Sequence, residues 1–162
     1  MNDVEPTPTG PVLGFDVGSR RIGVAVGNTF SGSARAEAVV VMTADIPDWS
    51  ALDRLVGEWA PLGLVVGDPR ALDDEQAMPP ARARARRFAG RLADRYRLPV
   101  WLIDERSSSV EAARDFAVAR AAGVRKRKQA DQLDALAAAI ILERWLQAPR
   151  DALVWSAETP TQ

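Results

Sequence analysis

The stretch VLGFDVGSRRIGVAVG, residues 12–27, decides how the rest of the chain is arranged. Residues 12–17 form a short apolar run interrupted only by Asp16, and residues 21–27 alternate in the manner of a strand. Between them, Gly18-Ser19-Arg20-Arg21 has the composition of a hairpin turn. Residues 34–42 end in a β-branched run after a Gly/Ser-rich connection, so a third antiparallel strand is expected. Apolar residues at 49, 52, 55, 56 and 59 give helical spacing over 48–60. LGLVVGD (62–68) is a buried strand closed by Asp68-Pro69. From Pro79-Pro80, positions 81, 85, 88, 89, 92, 93 and 96 fall on one stripe, which makes an amphipathic helix with a basic outer face. LPVWLI (98–103) is another buried strand. Ser108 and Glu111 fit a capping box for a helix that runs to about Ala122 and stops at Gly123. A final helix covers about 130–146. The order β-β-β-α-β-α-β-α-α implies an α/β fold: one five-stranded mixed sheet, its first three strands antiparallel, with helices on its faces. The domain is expected at 12–146, with a loose tail at 1–11 and a C-terminal tail at 147–162. That second tail carries Leu153, Val154 and Trp155, residues able to pack back on the body.

Composition narrows the chemistry. With 162 residues, 47% of them apolar and 27% charged, the chain suits one globular domain with a real core. No apolar stretch approaches a membrane span, and the start lacks the basic and apolar regions of a signal peptide, so a cytoplasmic protein is expected. The absence of cysteine removes thiol nucleophiles, disulfides and thiolate metal sites. The absence of histidine removes the usual general base and the imidazole ligand. Acid–base or metal chemistry must therefore rest on carboxylates. Net charge is −1, yet Arg82, Arg84, Arg86, Arg87, Arg91, Arg95 and Arg97 crowd one segment and Arg125-Lys126-Arg127-Lys128 another. Such patches suit phosphate-backbone contact or, equally, solvated helix faces.

A few carboxylates stand where solvation alone does not explain them. Asp16 ends an apolar strand, where it either binds a cation or bonds the turn at Gly18. Asp104 and Glu105 end the LPVWLI strand, the edge from which α/β proteins present functional groups. Because strand side chains alternate, at most one of this pair faces the same site as Asp16. Asp131 and Asp134 lie on one helix face at the mouth of the apolar run Ala135–Leu142. They either stabilise the helix start or face the sheet, where Asp134 would meet Asp16. Carboxylates converging from separate elements repel one another unless cations bind, and hard oxygen ligands suit Mg²⁺ or Mn²⁺. A pair of such ions activates water and stabilises the leaving oxygen in phosphodiester cleavage.

LGFDVGSRRIGVAV (13–26), LVVGDP (64–69), LPVWLIDERSSSVEA (98–112) and RKRKQADQLDALAAAIILERWL (125–146) together resemble the YqgF/RuvX family. These are bacterial Holliday junction resolvase-like nucleases of the RNase H-like fold, and the likeness spans residues 12–146. It implies an acidic site for two divalent ions made by Asp16, the Asp104-Glu105-Arg106 motif and Asp134. It also implies action on a precursor of 16S ribosomal RNA, on a four-way DNA junction, or on both. Gly18 would let substrate or metal approach the backbone. Arg20, Arg21, Arg106, Arg125, Lys126, Arg127 and Lys128 are the expected phosphate contacts. This chain departs from the family in carrying Asp68 after Val-Val-Gly and Ser107-Ser108-Ser109 where the family tends to have Leu-Thr-Thr. Asp68 either starts the turn at Pro69 or joins a RuvC-like tetrad of Asp16, Asp68 or Glu105, Asp131 and Asp134. A junction resolvase would be a homodimer, since paired nicks need two sites. Two other readings stand beside the nuclease. An actin-like ATPase needs a second lobe that 162 residues cannot hold, and a non-catalytic nucleic-acid-binding factor in transcription or ribosome assembly would not need the acidic set.

Overall fold

Alternation sorts the first hairpin into two unlike faces. β1 (Pro11–Val17) and β2 (Arg21–Asn28) pair antiparallel, with Asp16 opposite Gly23 and Val17 opposite Ile22. Leu13, Phe15, Val17, Ile22, Val24 and Val26 go to one core. Val12, Gly14, Asp16, Gly23, Ala25 and Gly27 have the other parity. One face is therefore bulky and branched, the other mostly small.

The computed structural model describes residues 9–69, 79–104, 126–149 and 152–155. The hairpin extends through β3 (Ser33–Thr43) and β4 (Ile46–Pro47) on one side. On the other side lie β5 (Gly63–Asp68), β6 (Val100–Asp104) and β7 (Leu153–Val154). The strand order is β4-β3-β2-β1-β5-β6-β7, with β1, β5 and β6 parallel and the remaining pairs antiparallel. The sheet thus has seven strands rather than the expected five. Both additions are two-residue edge strands, too short to carry a periodic signal. β4 returns from a turn in which Ala44 and Asp45 take left-handed conformations (φ 51° and 63°). β7 comes from the C-terminal segment, and beside it the Trp155 N–H donates to the Val100 carbonyl at 2.7 Å.

The two faces receive different helices. α1 (Trp49–Trp59), capped by the Asp48 side chain, and α2 (Pro80–Tyr96) cover the bulky face. Leu52, Phe88, Ala89 and Leu92 are buried there, and Phe88 meets Phe15 edge-on at 5.4 Å. Burying each large side chain contributes about 1.5–3 kcal/mol. α3 (Lys126–Gln147) lies on the small face, where Ala138, Leu142 and Trp145 are buried and Trp145 packs on Trp101. The approach is closest at Gly23, where a Cβ would overlap the carbonyl oxygen of Asp134. Only glycine allows the helix backbone to rest on β2 there. The helix expected at 108–122 lies outside the described residues.

Candidate active site

Gly23 builds the site twice over. It is the register partner of Asp16, and it lies beneath the backbone of Asp134. Asp16 of the strand and Asp134 of the helix therefore adjoin the same residue on one sheet face. Asp16 is half-buried, and the Asp134 side chain is 30% exposed, so both stay within reach of solvent. Arg21 precedes Gly23 by two residues and shares its face; its Nε donates to Asp134 Oδ2 at 2.8 Å. The Arg21 side chain is 42% exposed. The neighbouring Arg20 is exposed, and its carbonyl accepts from the Met42 N–H at 2.8 Å, tying the turn to β3. Gly18 has a structural reason of its own. Its N–H closes the turn on the Arg21 carbonyl at 2.9 Å, and a Cβ would sit 2.7 Å from that same oxygen.

Asp68 goes elsewhere. In β5, Leu64 and Val66 belong to the core under α1 and α2, and Asp68 continues their parity. It is 2% exposed and sits between Arg82 Nε and Arg86 Nη2 of α2, each at 3.3 Å. The structure therefore does not bring Asp68 to Asp16: the two leave opposite faces of the sheet. Asp104 is the register partner of Asp68 and shares the parity of Val100 and Leu102 rather than that of Trp101 and Ile103, which pack beneath α3. Its carbonyl accepts from Arg144 Nη1 of α3 at 2.6 Å. Lys126, Arg127, Lys128 and Asp131 fall in the first two turns of α3. Glu105, Arg106 and Arg125 lie outside the described residues. Among the described residues no three acids converge in a metal-ligating group.

The model of the RuvX family, described as Holliday junction resolvase, matches residues 10–148. The chain belongs to the RuvX family. A relative from Xanthomonas campestris pv. campestris, named "Putative pre-16S rRNA nuclease", is 62% identical over 145 residues, covering 90% of this chain and 92% of its own length. A relative of the same name from Xanthomonas oryzae pv. oryzae matches equally, at 62%. Among solved structures, T. thermophilus RuvC in complex with a Holliday junction substrate aligns with a TM-score of 0.51. It is 17% identical and covers 90% of this chain and 99% of that one, so the likeness is one of fold. The mixed sheet flanked by helices is the RNase H-like fold.

In this RuvX chain the arginines of α2 turn inward to the protein's own acids. Besides the pair on Asp68, Arg84 Nε and Arg87 Nη2 reach the Asp45 carboxylate at 3.1 and 3.3 Å, and Arg91 Nη1 reaches the Asp45 carbonyl at 2.6 Å. Arg95 grips Asp53 of α1 through two bonds, 2.8 and 2.7 Å, and lies over the Trp49 ring at 4.8 Å. These side chains fasten α2 to α1 and to the β3–β4 turn. Intramolecular pairing engages all six of these arginines, while the side chains of Arg87 and Arg95 remain 46% and 43% exposed. Hydrogen bonds from Arg95 first, and from the Tyr96 hydroxyl second, pull the Asp53 carboxyl down to about 2.

Sequence reasoning missed three features. Gly23 was visible as the first member of Gly23-Ala25-Gly27, a small-residue face within an alternating strand. Arg144 as an anchor for β6, and Asp45 as the receiver of three arginines, left no local signal, because their partners are 40 or so residues away.

Proposed function

We propose that this chain is a divalent-metal-dependent endonuclease that hydrolyses phosphodiester bonds in structured nucleic acid. The observation that carries the proposal is the placement of Asp16 and Asp134, from separate elements, beside the same residue on the α3 face, both within reach of solvent. The chain has no histidine or cysteine, so its donors are hard oxygens, and they fit Mg²⁺ or Mn²⁺. Asp16 and Asp134 would hold such an ion. Glu105 is the third donor we favour, since it shares the odd numbering of Trp101 and Ile103, the β6 residues on the α3 face. Asp131, one turn before Asp134 on α3, is the candidate for a second ion. When bound, the ions supply an activated water and neutralise charge developing on the phosphate. The protein's own part is to hold the two carboxylates on rigid elements and to offer guanidinium groups at the hairpin turn to phosphate oxygens.

For substrate we favour precursor 16S ribosomal RNA, because relatives 62% identical to this chain are named "Putative pre-16S rRNA nuclease"; cleavage at its 5′ end, in the cytoplasm, is our finer reading. No helix among the described residues is long and apolar enough to cross a membrane. The four-way DNA junction is the second arm of the test. Purified protein with Mg²⁺ or Mn²⁺ should cleave the RNA precursor, and the Asp16→Asn and Asp134→Asn variants should not. Preferential nicking of the junction by a dimer would reassign the substrate. Full cleavage by Asp16→Asn would remove the site itself, and full complementation by an Asp16→Asn strain would favour a non-catalytic factor.

A further inference from the structure

We infer that Arg21 is a displaceable counter-ion: its guanidinium holds Asp134 while no metal is bound and is released to a substrate phosphate when a divalent cation takes the carboxylate. The inference rests on the metal-site reading above and deepens it. Two carboxylates on one face of the sheet repel each other, and a neighbouring cation offsets that repulsion. Arg21 supplies that cation from within the hairpin, through Nε to Asp134 Oδ2 at 2.8 Å. The contact is made through the edge nitrogen, Nε. Both side chains are substantially solvent-exposed, 42% and 30%, and an ion pair in such surroundings is weak. A doubly charged ion that engages Asp16 as well as Asp134 outcompetes it. The Asp68 pair behaves oppositely: at 3% side-chain exposure, between two nearly buried arginines, its carboxylate is not open to exchange.

Release has a second consequence. The freed arginine remains anchored at the first residue of β2, next to the turn closed by the Gly18 N–H, so it stays at the rim of the site and can meet an incoming phosphate. Metal loading and phosphate capture would then be linked through one side chain. Reciprocity requires that nucleic acid bound to Arg21 favour metal on Asp134.

The experiment is a Mn²⁺ titration of the full chain, without nucleic acid, followed by water-proton relaxation or calorimetry. Arg21→Met should bind Mn²⁺ about 1.5- to 5-fold more tightly than wild type, the range an exposed ion pair spans. Arg21→Lys, which keeps the charge, should stay near wild type. With a short non-hydrolysable RNA analogue and saturating Mn²⁺, Arg21→Met should also lose close to one counterion from the salt dependence of binding, and without metal it should lose less. Unchanged or weaker Mn²⁺ binding by Arg21→Met overturns the inference, and so does equal tightening by Arg21→Lys. Asp16→Asn and Asp134→Asn separate this failure from that of the underlying site. If they lose Mn²⁺ binding while Arg21→Met is unchanged, only the role of Arg21 falls; if they bind like wild type, the metal site falls with it. Arg21→Met should unfold at the wild-type midpoint, so that a change in Mn²⁺ binding is not a loss of fold.

Discussion

Asp16 and Asp68 stand at the carboxyl ends of neighbouring parallel strands, β1 and β5, yet they have opposite fates. On the α3 face, small residues let a helix backbone descend to the sheet, and the side chains of Asp16 and Asp134 stay near solvent, with Arg21 bonded to Asp134. On the face beneath α2, bulky side chains fill the space, and Asp68 is sealed between Arg82 and Arg86. The charges are alike. What differs is whether water, and therefore a metal or a phosphate, can reach them. A buried ion pair resists exchange and holds structure, whereas a half-exposed carboxylate pair is suited to bind and release.

The contrast breaks most sharply under paired substitutions. Asp16→Asn should lower single-turnover cleavage roughly a thousandfold or more, with little change in unfolding midpoint. Asp68→Asn should do the converse, removing a counter-charge from buried Arg86 and nearly buried Arg82 and costing about 3–5 kcal/mol of stability in urea titrations, while the molecules that remain folded keep their cleavage rate. An Asp68→Asn protein that is stable but inactive would return Asp68 to the site. Gly23→Ala comes next, because it strikes the feature that distinguishes the faces. Its methyl must push α3 off β2, so we expect about 1–3 kcal/mol of destabilisation together with a cleavage defect from the displaced Asp134. Destabilisation without any loss of cleavage would show that the level of α3 does not set the site.

How much of this was legible follows the same divide. The hairpin, the helical stripes at 48–60 and 79–96 and the final helix each carried a strong period or punctuation, and they emerge as β1–β2, α1, α2 and α3. The face taken by Asp68 was hidden, because LGLVVGD is apolar throughout and a parallel strand buried on both sides shows no alternation. Asp16 was easier to place, since it stands alone in an apolar strand beside the Gly-Ala-Gly face of its partner. The arginines of α2 were correctly set off the buried stripe, except that Arg86 is itself 5% exposed and drawn inward by Asp68. Their partners, Asp45 and Asp53, lie about 40 residues back in the chain, and only the folded packing of α2 against the β3–β4 turn and α1 brings them together. Phosphate contact and self-contact look identical in a list of arginines.

The smallest expected effect sharpens the comparison within a single face. Asp53–Arg95 and Asp68–Arg82/Arg86 both fasten α2, one at the surface and the other in the interior. The Asp53 carboxyl is lowered from 3.8 to about 2, by its bond from Arg95 first and by that from Tyr96 second. A carboxyl depressed on folding contributes stability that is fully present above its unfolded pKa and is lost as the pH falls through the folded one. The Asp53 contribution should therefore be constant above about pH 4 and fade between about pH 4 and pH 2. Because the pair is exposed, 0.5 M salt should shrink the fading, whereas the penalty of Asp68→Asn should barely respond to salt. Asp53→Asn should flatten that acid limb and leave stability near pH 7 almost unchanged. A salt-insensitive acid limb, or a Asp53→Asn penalty as large as that of Asp68→Asn, would mean that burial is not what separates the two clamps.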